Sequence, residues 1–265
     1  MKLIILIAHY NNIKGLKESL LSIDEPFDVD IMLVDDGSRD KPNINELNNL
    51  YKNGKIYYEL LPENKGVGIA ANLGLNKIRE LGIHDLIGRL DCGDLNRKNK
   101  YKIQLDYLKA NPDIKLLGTW ADMVDEEGNL LFVLRHPTKY ADIKKKMYIN
   151  NMFINPTVVF YTEILNKVGD YPEKYRRAAQ DYAFFFKVIK HYKAENLPEV
   201  LLDYVIEDKS ISTQKRRLQV KHRIQIILEN FYFGFYPIYG LIRNPIFLIL
   251  SRDTTTFFKK FLYKK

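Results

Sequence analysis

Cysteine is almost absent from this chain of 265 residues, because Cys92 is the only one. A single thiol excludes an internal disulfide framework and a zinc site built from several cysteines. Long apolar runs are absent as well, since the stretch Phe231–Leu250 is broken by prolines, Arg243 and Asn244. A membrane-spanning helix needs about 18 apolar residues in a row, so none is expected. The apolar opening, Leu3–Ala8, is too short for a signal peptide and predicts a buried strand.

Common phosphate-binding and metal-binding motifs are also missing. The chain has no G-x-x-x-x-G-K-[ST] loop and no pair of histidines at metal-ligand spacing. Gly66–Ala71 formally matches the dinucleotide fingerprint G-x-G-x-x-A, but that fingerprint must directly follow the first strand, and this match follows the third. A flexible loop beside a phosphate or a sugar is the better interpretation of this segment.

Positive charge is concentrated at the end of the chain. Residues 209–265 contain twelve lysines and arginines but only two acidic residues, whereas residues 1–208 carry a slight negative charge. The same segment is rich in Phe and Tyr, which is typical of binding to a membrane surface or to nucleic acid. No nucleic-acid-binding module is recognisable, so nucleic acid is not an expected partner. Two interpretations stay open: peripheral binding to anionic lipid, or a helix packed on the preceding domain with a solvated basic side.

Apolar positions within this tail recur at helical spacing. The residues that fall on one predicted helix face are Val220, Ile224, Ile227, Leu228 and Phe231. Such a spacing predicts an amphipathic helix.

The remainder of the chain alternates strand and helix patterns, which predicts an α/β fold. The predicted strands are Leu3–Ala8, Asp30–Val34, Lys55–Leu61 and His84–Leu90, followed by Ile114–Thr119, Leu130–Leu134 and an edge strand at Leu201–Val205. The predicted helices are Ile13–Ile23, Val67–Leu81, Lys98–Ala110, Ala141–Tyr148 and Asp181–His191. This order predicts right-handed βαβ units and a mainly parallel, Rossmann-like sheet flanked by helices. The later strands Ile114–Thr119 and Leu130–Leu134, joined by a turn, are expected to be antiparallel.

Polar and acidic residues follow each of the first four predicted strands. They are His9, Tyr10 and Asn11, then Asp35 and Asp36, then Lys65, and then Asp91 and Asp94. In an open α/β sheet, ligands bind beyond the carboxyl ends of the strands, so these residues form a candidate site. The loops after the second and fourth strands also have a plainer interpretation as a turn with a helix N-cap.

Three aspartates carry specific chemical hypotheses. Asp91 and Asp94 lie on one short loop, and two close carboxylates repel each other unless a cation or hydrogen bonds compensate. Hard oxygen ligands suit Mg²⁺ or Mn²⁺, which can also bridge a diphosphate. Asp181 begins a predicted helix, where it is either a partner of the helix dipole or a general base in a cleft.

The order of these pieces resembles family 2 glycosyltransferases, most of all the bacterial enzymes that build surface polysaccharides. The likeness covers about residues 1–212. The segments that carry it are LIILIAHYNN, IMLVDDGSRD, ENKGVGIAANLGLNK, IGRLDCGDLNRKNKYKIQ, INPTVVFYTEILNKVGDYPEKYRRAAQDYAFFFKV and LPEVLLDYVIEDKSIS.

This resemblance implies a GT-A fold and sugar transfer from a nucleotide donor, with UDP ahead of dTDP and GDP, to an acceptor hydroxyl with inversion. It implies a nucleotide-binding half (residues 1–110), an acceptor-binding half (111–208) and the basic extension (209–265). The residues that match donor-binding positions are His9, Tyr10, Asn11, Asp35, Asp36 and Asp91, and Lys65 and Arg97 are candidate phosphate partners. Asp94, with Asp91, matches the region that holds Mn²⁺ or Mg²⁺, and Asp181 matches the catalytic base.

The resemblance also implies a glycan or lipid-linked acceptor and a cytoplasmic location, with peripheral attachment to the membrane as a further expectation. Three residues depart from the family pattern: Gly93 for an aspartate, Gln180 for a glutamate and Asn155 for a histidine. Two rival hypotheses remain, a sugar nucleotidyltransferase and a catalytically inactive domain that binds a partner or a membrane. Retention of Asp36, Asp91, Asp94 and Asp181 argues against the inactive domain.

Overall fold

The structure, a computed structural model, describes residues 1–206 and 216–249. Within these ranges the chain forms one nine-stranded sheet with helices on both faces. The strands are β1 Leu3–His9, β2 Asp30–Asp35, β3 Ile56–Leu60, β4 Leu86–Arg89, β5 Leu95–Asn96, β6 Ile114–Val124, β7 Leu130–Leu134, β8 Val159–Tyr161 and β9 Lys193–Val205.

The α-helices divide between the faces of the sheet and the tail. They are α1 Ile13–Leu21, α2 Ile44–Leu50, α3 Val67–Leu81, α4 Lys100–Ala110, α5 Tyr140–Lys146, α6 Leu165–Val168, α7 Gln180–His191, α8 Arg216–Glu229 and α9 Phe235–Ile249. Three short 3₁₀ helices lie at Asn155–Thr157, Thr162–Ile164 and Glu173–Tyr175.

The first half of the sheet is parallel, as predicted. The spatial order is β3-β2-β1-β4-β8-β6-β9-β5, with β7 paired to β6. Strands β3, β2, β1 and β4 run parallel to one another, and β2, β1 and β4 are buried on both faces. Alternate residues of β1 enter opposite cores: Ile4 and Leu6 pack under α3, whereas Ile5 and Ile7 pack under α1. The sequences of these buried strands are continuous apolar runs because both faces of each strand are covered.

The second half of the sheet is mixed: β6 and β7 are antiparallel as predicted, but other elements differ from the sequence predictions. Strands β5 and β8 and helix α2 were not predicted, because elements of two to seven residues carry little periodicity. Strand β9 is much longer than the predicted edge strand and lies between β6 and β5. Its register against β6 shifts between the Leu197 and Val200 pairs. Pro198 falls in that shift, where its missing N–H does not interrupt a regular ladder.

The basic tail packs on the sheet domain as far as the structure describes it. Ile226 of α8 is buried in the core that also holds α7. The Tyr148 hydroxyl donates to the Asn230 carbonyl at 2.9 Å, and Arg243 of α9 donates to the Ile149 carbonyl at 3.1 Å. Helix α8, which lies beyond the predicted boundary near Lys209, thus contributes to the core of the sheet domain.

The buried face of α8 agrees with the predicted one only in part, because Val220 and Ile227 are buried as predicted. Val220, Ile226 and Ile227 are buried, whereas Leu228, which was predicted on the apolar face, is 56% exposed. Ile226, which was not predicted on the apolar face, is buried in the domain core, and spacing alone does not indicate this contact. No helix among the described residues is long and apolar enough to cross a membrane. Residues 207–215 and 250–265, with many of the predicted basic and aromatic positions, lie outside the described residues.

Candidate active site

Three loops that follow parallel strands meet at one edge of the sheet. Strands β2, β1 and β4 are adjacent and parallel, so their carboxyl ends lie side by side. The Asn11 N–H donates to Ser38 Oγ at 2.9 Å, which joins the first loop to the second. The Cys92 thiol donates to the Asn12 carbonyl at 3.3 Å, which joins the first loop to the fourth-strand loop. The predicted collection of polar residues at this edge is therefore present.

His9 and Asp35 form the buried framework of this edge. Both side chains are fully buried, and His9 Nδ1 lies 2.8 Å from Asp35 Oδ2. Because His9 Nε2 accepts from the Asn12 N–H at 3.1 Å, the ring proton is on Nδ1 and is donated to Asp35. Asp35 Oδ1 accepts from the Ser38 N–H at 2.7 Å. These contacts give both residues a supporting role, and their expected contact with a nucleotide stays a prediction.

Asp36 connects the second loop to the third. Its carboxylate accepts hydrogen bonds from Asn64 Nδ2 at 3.0 Å, the Lys65 N–H at 2.8 Å and the Gly66 N–H at 2.9 Å. The side chain is buried, so its charge is compensated chiefly by backbone and amide donors. Asp36 thereby holds the loop that begins α3 against the strand-end loop of β2.

Tyr10, Asn11 and Lys65 are the predicted donor-binding residues of these loops that reach solvent. Tyr10 is 49% exposed, and Asn11 is exposed with a left-handed backbone, φ 50°. The Lys65 ammonium is exposed and lies 3.9 Å from Glu63 in a loose ion pair. A long cation in a loose ion pair can turn towards a phosphate at little cost.

The two acidic residues of the loop after β4 face different surroundings. The Asp91 side chain is 39% exposed, and its carboxylate accepts from Asn155 Nδ2 at 3.1 and 3.3 Å. Asp94 is buried, and its Oδ1 accepts from the Val205 N–H at 3.0 Å, which ties the loop to β9. Asp91 is therefore the carboxylate of this loop that reaches solvent. A ligand role for Asp94 stays a prediction.

The chemistry of this loop suits one kind of divalent-cation site. Among the residues that the structure describes, no group of three or more His, Cys, Asp or Glu side chains could hold a metal ion. Gly93, with φ 104°, supplies no carboxylate between Asp91 and Asp94. Mg²⁺ is commonly held by one or two carboxylates together with substrate phosphates and water. The residues therefore fit a cation shared between Asp91 and a diphosphate, and they do not fit a cation held by side chains alone.

Arg89 and Tyr171 lie beneath Asp91 and were not singled out in the sequence. The Arg89 guanidinium is buried, and its Nη2 donates weakly to Asp91 at 3.4 Å. Its Nε and Nη1 and the Tyr171 hydroxyl are buried without hydrogen-bond partners among the described residues. The Arg89 guanidinium also lies 5.9 Å from the centre of the Tyr171 ring. This buried cation supports the negative charge of Asp91, and unpaired polar groups of this kind are typical of functional sites.

Asp181 lies in the first turn of α7, at the same edge. Ala179, two residues before Asp181, has a left-handed backbone, φ 62°, which turns the chain into the helix. Asn151 Nδ2 donates to Asp181 Oδ2 at 2.8 Å. Burial raises the pKa of the Asp181 carboxyl, the Tyr182 N–H opposes this, and Asp91 raises the pKa further. A carboxylate with a raised pKa beside a second carboxylate is suited to accept a proton.

The tail helix α8 also contributes to this region. His222 Nδ1 bonds the Ala178 carbonyl at 2.8 Å, which holds α8 against the start of α7. The positive charge of Arg223, on the same helix, lowers the pKa of Asp181 and so favours its ionised form. The basic helix was predicted from the sequence, but nothing in the sequence indicates that it lies near the Asp181 carboxylate.

Two basic residues after the fourth strand have structural partners. Arg97, a candidate phosphate partner, donates from Nε to Asp203 at 3.0 Å and also pairs with Asp122. Its positive charge is therefore balanced by carboxylates of β9 and β6. The buried Lys100 ammonium donates to the Pro156 carbonyl at 2.8 Å, and burial lowers its pKa to about 7. Lys100 thus fixes the turn that carries Asn155 beside Asp91.

Comparison with known proteins decides the family. A family model described as "Glycosyltransferase like family 2" matches residues 3–241. The chain belongs to the family 2 glycosyltransferases. The match continues through α8 and into α9, beyond the point where the sequence segments resemble the family. The tail as far as residue 241 is therefore part of the region that the family shares.

One curated relative and two solved structures are similar to this glycosyltransferase. The UDP-Gal:alpha-D-GlcNAc-diphosphoundecaprenol beta-1,3-galactosyltransferase of Escherichia coli is 29% identical over 238 residues, covering 86% of this chain and 82% of that enzyme. Staphylococcus aureus TarS 1-349 in complex with UDP-GlcNAc has a TM-score of 0.66 at 18% identity, covering 86% and 67% of the two chains.

The second structure is the mannosyltransferase PcManGT of Pyrobaculum calidifontis in complex with GDP-Man and Mn²⁺. It has a TM-score of 0.65 at 15% identity, covering 94% of this chain and 70% of that one. These likenesses confirm the GT-A fold expected from the sequence.

Proposed function

We propose that this glycosyltransferase moves a sugar from a UDP-sugar to a hydroxyl of a lipid-linked glycan, with inversion at the anomeric carbon. The observation that carries the proposal is the placement of two carboxylates at one edge of the sheet. Asp91 is exposed where a donor diphosphate would lie. Asp181 is close enough to Asp91 for the negative charge of Asp91 to raise the pKa of Asp181. The E. coli relative supports a diphosphate-linked lipid acceptor, because its name specifies one.

In the proposed reaction, Asp181 accepts the proton of the acceptor hydroxyl as its oxygen attacks C1 of the donor sugar. The bond between C1 and the diphosphate oxygen breaks, and its electron pair stays with the leaving nucleoside diphosphate. Asn151 holds the Asp181 carboxylate in place through its amide hydrogen bond. Burial keeps the pKa of Asp181 raised, which increases its basicity, while Arg223 helps to keep it ionised before the transfer.

Asp91 is the residue that would hold a divalent cation together with the donor diphosphate. When bound, Mn²⁺ or Mg²⁺ supplies positive charge that stabilises the leaving diphosphate. Asn155 Nδ2 and Arg89 orient the Asp91 carboxylate from the protein side. Tyr10, Asn11 and Lys65 are the exposed residues available to the nucleotide, above the buried framework of His9, Asp35 and Asp36.

Titration calorimetry with UDP, dTDP and GDP, each with and without Mn²⁺, tests the donor proposal. We expect UDP to bind most tightly and Mn²⁺ to strengthen its binding. Asp91→Asn should remove most of that metal enhancement, because one neutral oxygen replaces the charged ligand.

The matched control is Asp122→Asn, which removes a carboxylate that pairs with Arg97 between β6 and β9. It should leave the Mn²⁺ enhancement unchanged. Binding of none of the three nucleotides by the folded wild-type protein would contradict the proposed function. If Mn²⁺ strengthens UDP binding equally in Asp91→Asn and in the wild type, Asp91 does not hold the cation.

The surface of α9 favours a role at a lipid surface. Phe235, Tyr239, Ile242 and Ile246 fall at i, i+4, i+7 and i+11 on this helix, and they are 71%, 42%, 63% and 47% exposed. Phe233, just before the helix, is 94% exposed. An exposed apolar helix face beside a basic segment is typical of helices that lie in a membrane interface. We propose that this face rests on the membrane that carries the lipid-linked acceptor.

Co-sedimentation with vesicles that contain phosphatidylglycerol tests this membrane contact. Changing Ile242 and Ile246 together to serine should weaken vesicle binding by about tenfold or more, since burial of one isoleucine is worth about 1.5–3 kcal/mol. Changing Leu21 and Ile83 to serine is the matched control, because these residues are 62% and 48% exposed elsewhere on the surface.

Equal vesicle binding by the α9 variant and the control variant would contradict the membrane contact. Deletion of the whole tail is a poorer test, because it would also remove Ile226 from the core. Thermal melting of both variants should match that of the wild type, since the substituted side chains are exposed.

A further inference from the structure

An open pocket of about 570 Å³ lies between the segment that precedes α7 and the tail helix α8. Its walls come from two parts of the chain that are far apart in sequence. The lining residues are Glu173, Lys174, Arg176, Arg177, Leu218 and His222. No part of the proposed donor site lines this pocket, so donor binding does not explain the pocket.

The pocket has an excess of positive charge. Lys174 pairs with Glu229 of α8, so much of its charge is neutralised within the protein. Arg176 and Arg177 are exposed, and neither forms an ion pair with an acidic residue among those that the structure describes. Glu173 is the one acidic residue of the lining. Two arginines beside a histidine suit an anion with several oxygens, because guanidinium groups bind phosphates through paired hydrogen bonds.

The pocket lies close to the proposed catalytic base. Arg177 precedes Asp181 by four residues, so their Cα atoms are at most about 14 Å apart. The bond from His222 to the Ala178 carbonyl fixes one wall of the pocket to the start of α7. The backbone of Arg176 is fixed as well, because its carbonyl accepts from the Gly68 N–H at 3.1 Å. A group held in this pocket would therefore keep a defined position relative to Asp181.

We infer that this pocket binds the diphosphate of the acceptor, so that the arginines position a polyprenyl-diphosphate-linked sugar for attack. This inference rests on the proposed function. In an inverting transfer the attacking hydroxyl and its base lie on the face of C1 opposite the leaving diphosphate. The donor diphosphate belongs with Asp91, and a pocket on the Asp181 side suits the other substrate. The lipid chain of that acceptor would continue towards the membrane, where α9 presents its apolar face.

Binding of farnesyl diphosphate, measured by calorimetry on the full chain, tests the pocket without the need to know the acceptor sugar. The double variant Arg176→Gln/Arg177→Gln should bind this probe about tenfold or more weakly, because charged hydrogen bonds to the diphosphate are lost. Binding of UDP with Mn²⁺ should stay as in the wild type. The matched control is Lys145→Gln/Lys146→Gln on α5, which removes two exposed charges away from the pocket and should change neither affinity.

Several results would overturn the inference. The inference fails if the wild-type protein does not bind farnesyl diphosphate. It also fails if the arginine variant binds farnesyl diphosphate as tightly as the wild type. A parallel loss of UDP binding would assign the arginines to the donor. Retained farnesyl diphosphate binding with loss of binding to phosphatidylglycerol vesicles would assign them to lipid headgroups. Failure of the proposed function would give a different result. None of the three nucleotides would then bind to the wild-type protein, whether or not farnesyl diphosphate binds.

Discussion

Asp181→Asn should lower the rate of sugar transfer by about 10²–10⁴-fold, which is the usual contribution of a general base. Asparagine has nearly the same shape but cannot accept the proton of the acceptor hydroxyl. The Asn151 amide can still bond the side-chain oxygen that remains, so the start of α7 should keep its geometry. UDP affinity should stay within about twofold, because Asp181 is proposed to act on the acceptor and not on the nucleotide.

Single-turnover rates and calorimetry on the same preparations separate these two effects. Asp170→Asn is a suitable control, because Asp170 is a partly buried carboxylate next to α7 that pairs with Arg79 at 2.9 Å. Its loss should leave the transfer rate nearly unchanged. Full turnover by Asp181→Asn would show that the base is elsewhere. Loss of UDP binding together with turnover would instead give Asp181 a structural role.

Gly37→Ala should destabilise the fold by about 2–4 kcal/mol, the sum of a left-handed backbone for a non-glycine residue and overpacking. Gly37 has φ +69°, and a Cβ atom there would lie 2.3 Å from the Glu63 carbonyl carbon. The obstacle is backbone, which cannot rotate away as a side chain can. The displaced segment leads directly to Lys65 and Gly66, whose N–H groups bind Asp36, so UDP affinity should fall as well.

Gly128→Ala is the matched control for this substitution. Gly128 also has a left-handed backbone, φ +84°, but a Cβ atom there would meet nothing within 4 Å. Its cost should therefore be limited to backbone strain of about 1 kcal/mol. Urea unfolding measures both free energies. Equal losses in the two variants would show that the contact with Glu63 relaxes without cost and that the two loops are not rigidly joined.

The parallel half of the sheet and the edge where its polar loops meet could be predicted from the sequence. Strands β1, β2 and β4 are covered on both faces, so their sequences are continuous apolar runs that end at polar residues. Because parallel neighbours end at the same edge, the residues that follow them must meet there. Asp181 could be placed at a helix start by the apolar periodicity that follows it. These features depend on residues that are close together in sequence.

The surroundings of the individual carboxylates were decided by tertiary structure. Asp91 and Asp94 are three residues apart and look equivalent in the sequence. Asp94 turns inward because its partner is the Val205 N–H, 111 residues further on, whereas Asp91 faces solvent beside Asn155. Asp36 similarly bonds backbone groups at the start of α3. Side-chain direction in a loop depends on such distant partners, which residue types and spacing do not identify.

The sequence by itself determined the fold class, the edge of the sheet where the polar loops meet and the excess positive charge of the tail. Only the tertiary structure placed Ile226 in the core, joined His222 to the start of α7 and left Arg176 and Arg177 around an open pocket. The physical reason is the range of the interactions. Apolar periodicity and strand order act locally along the chain, whereas burial and hydrogen bonding at the site join segments that meet only after folding.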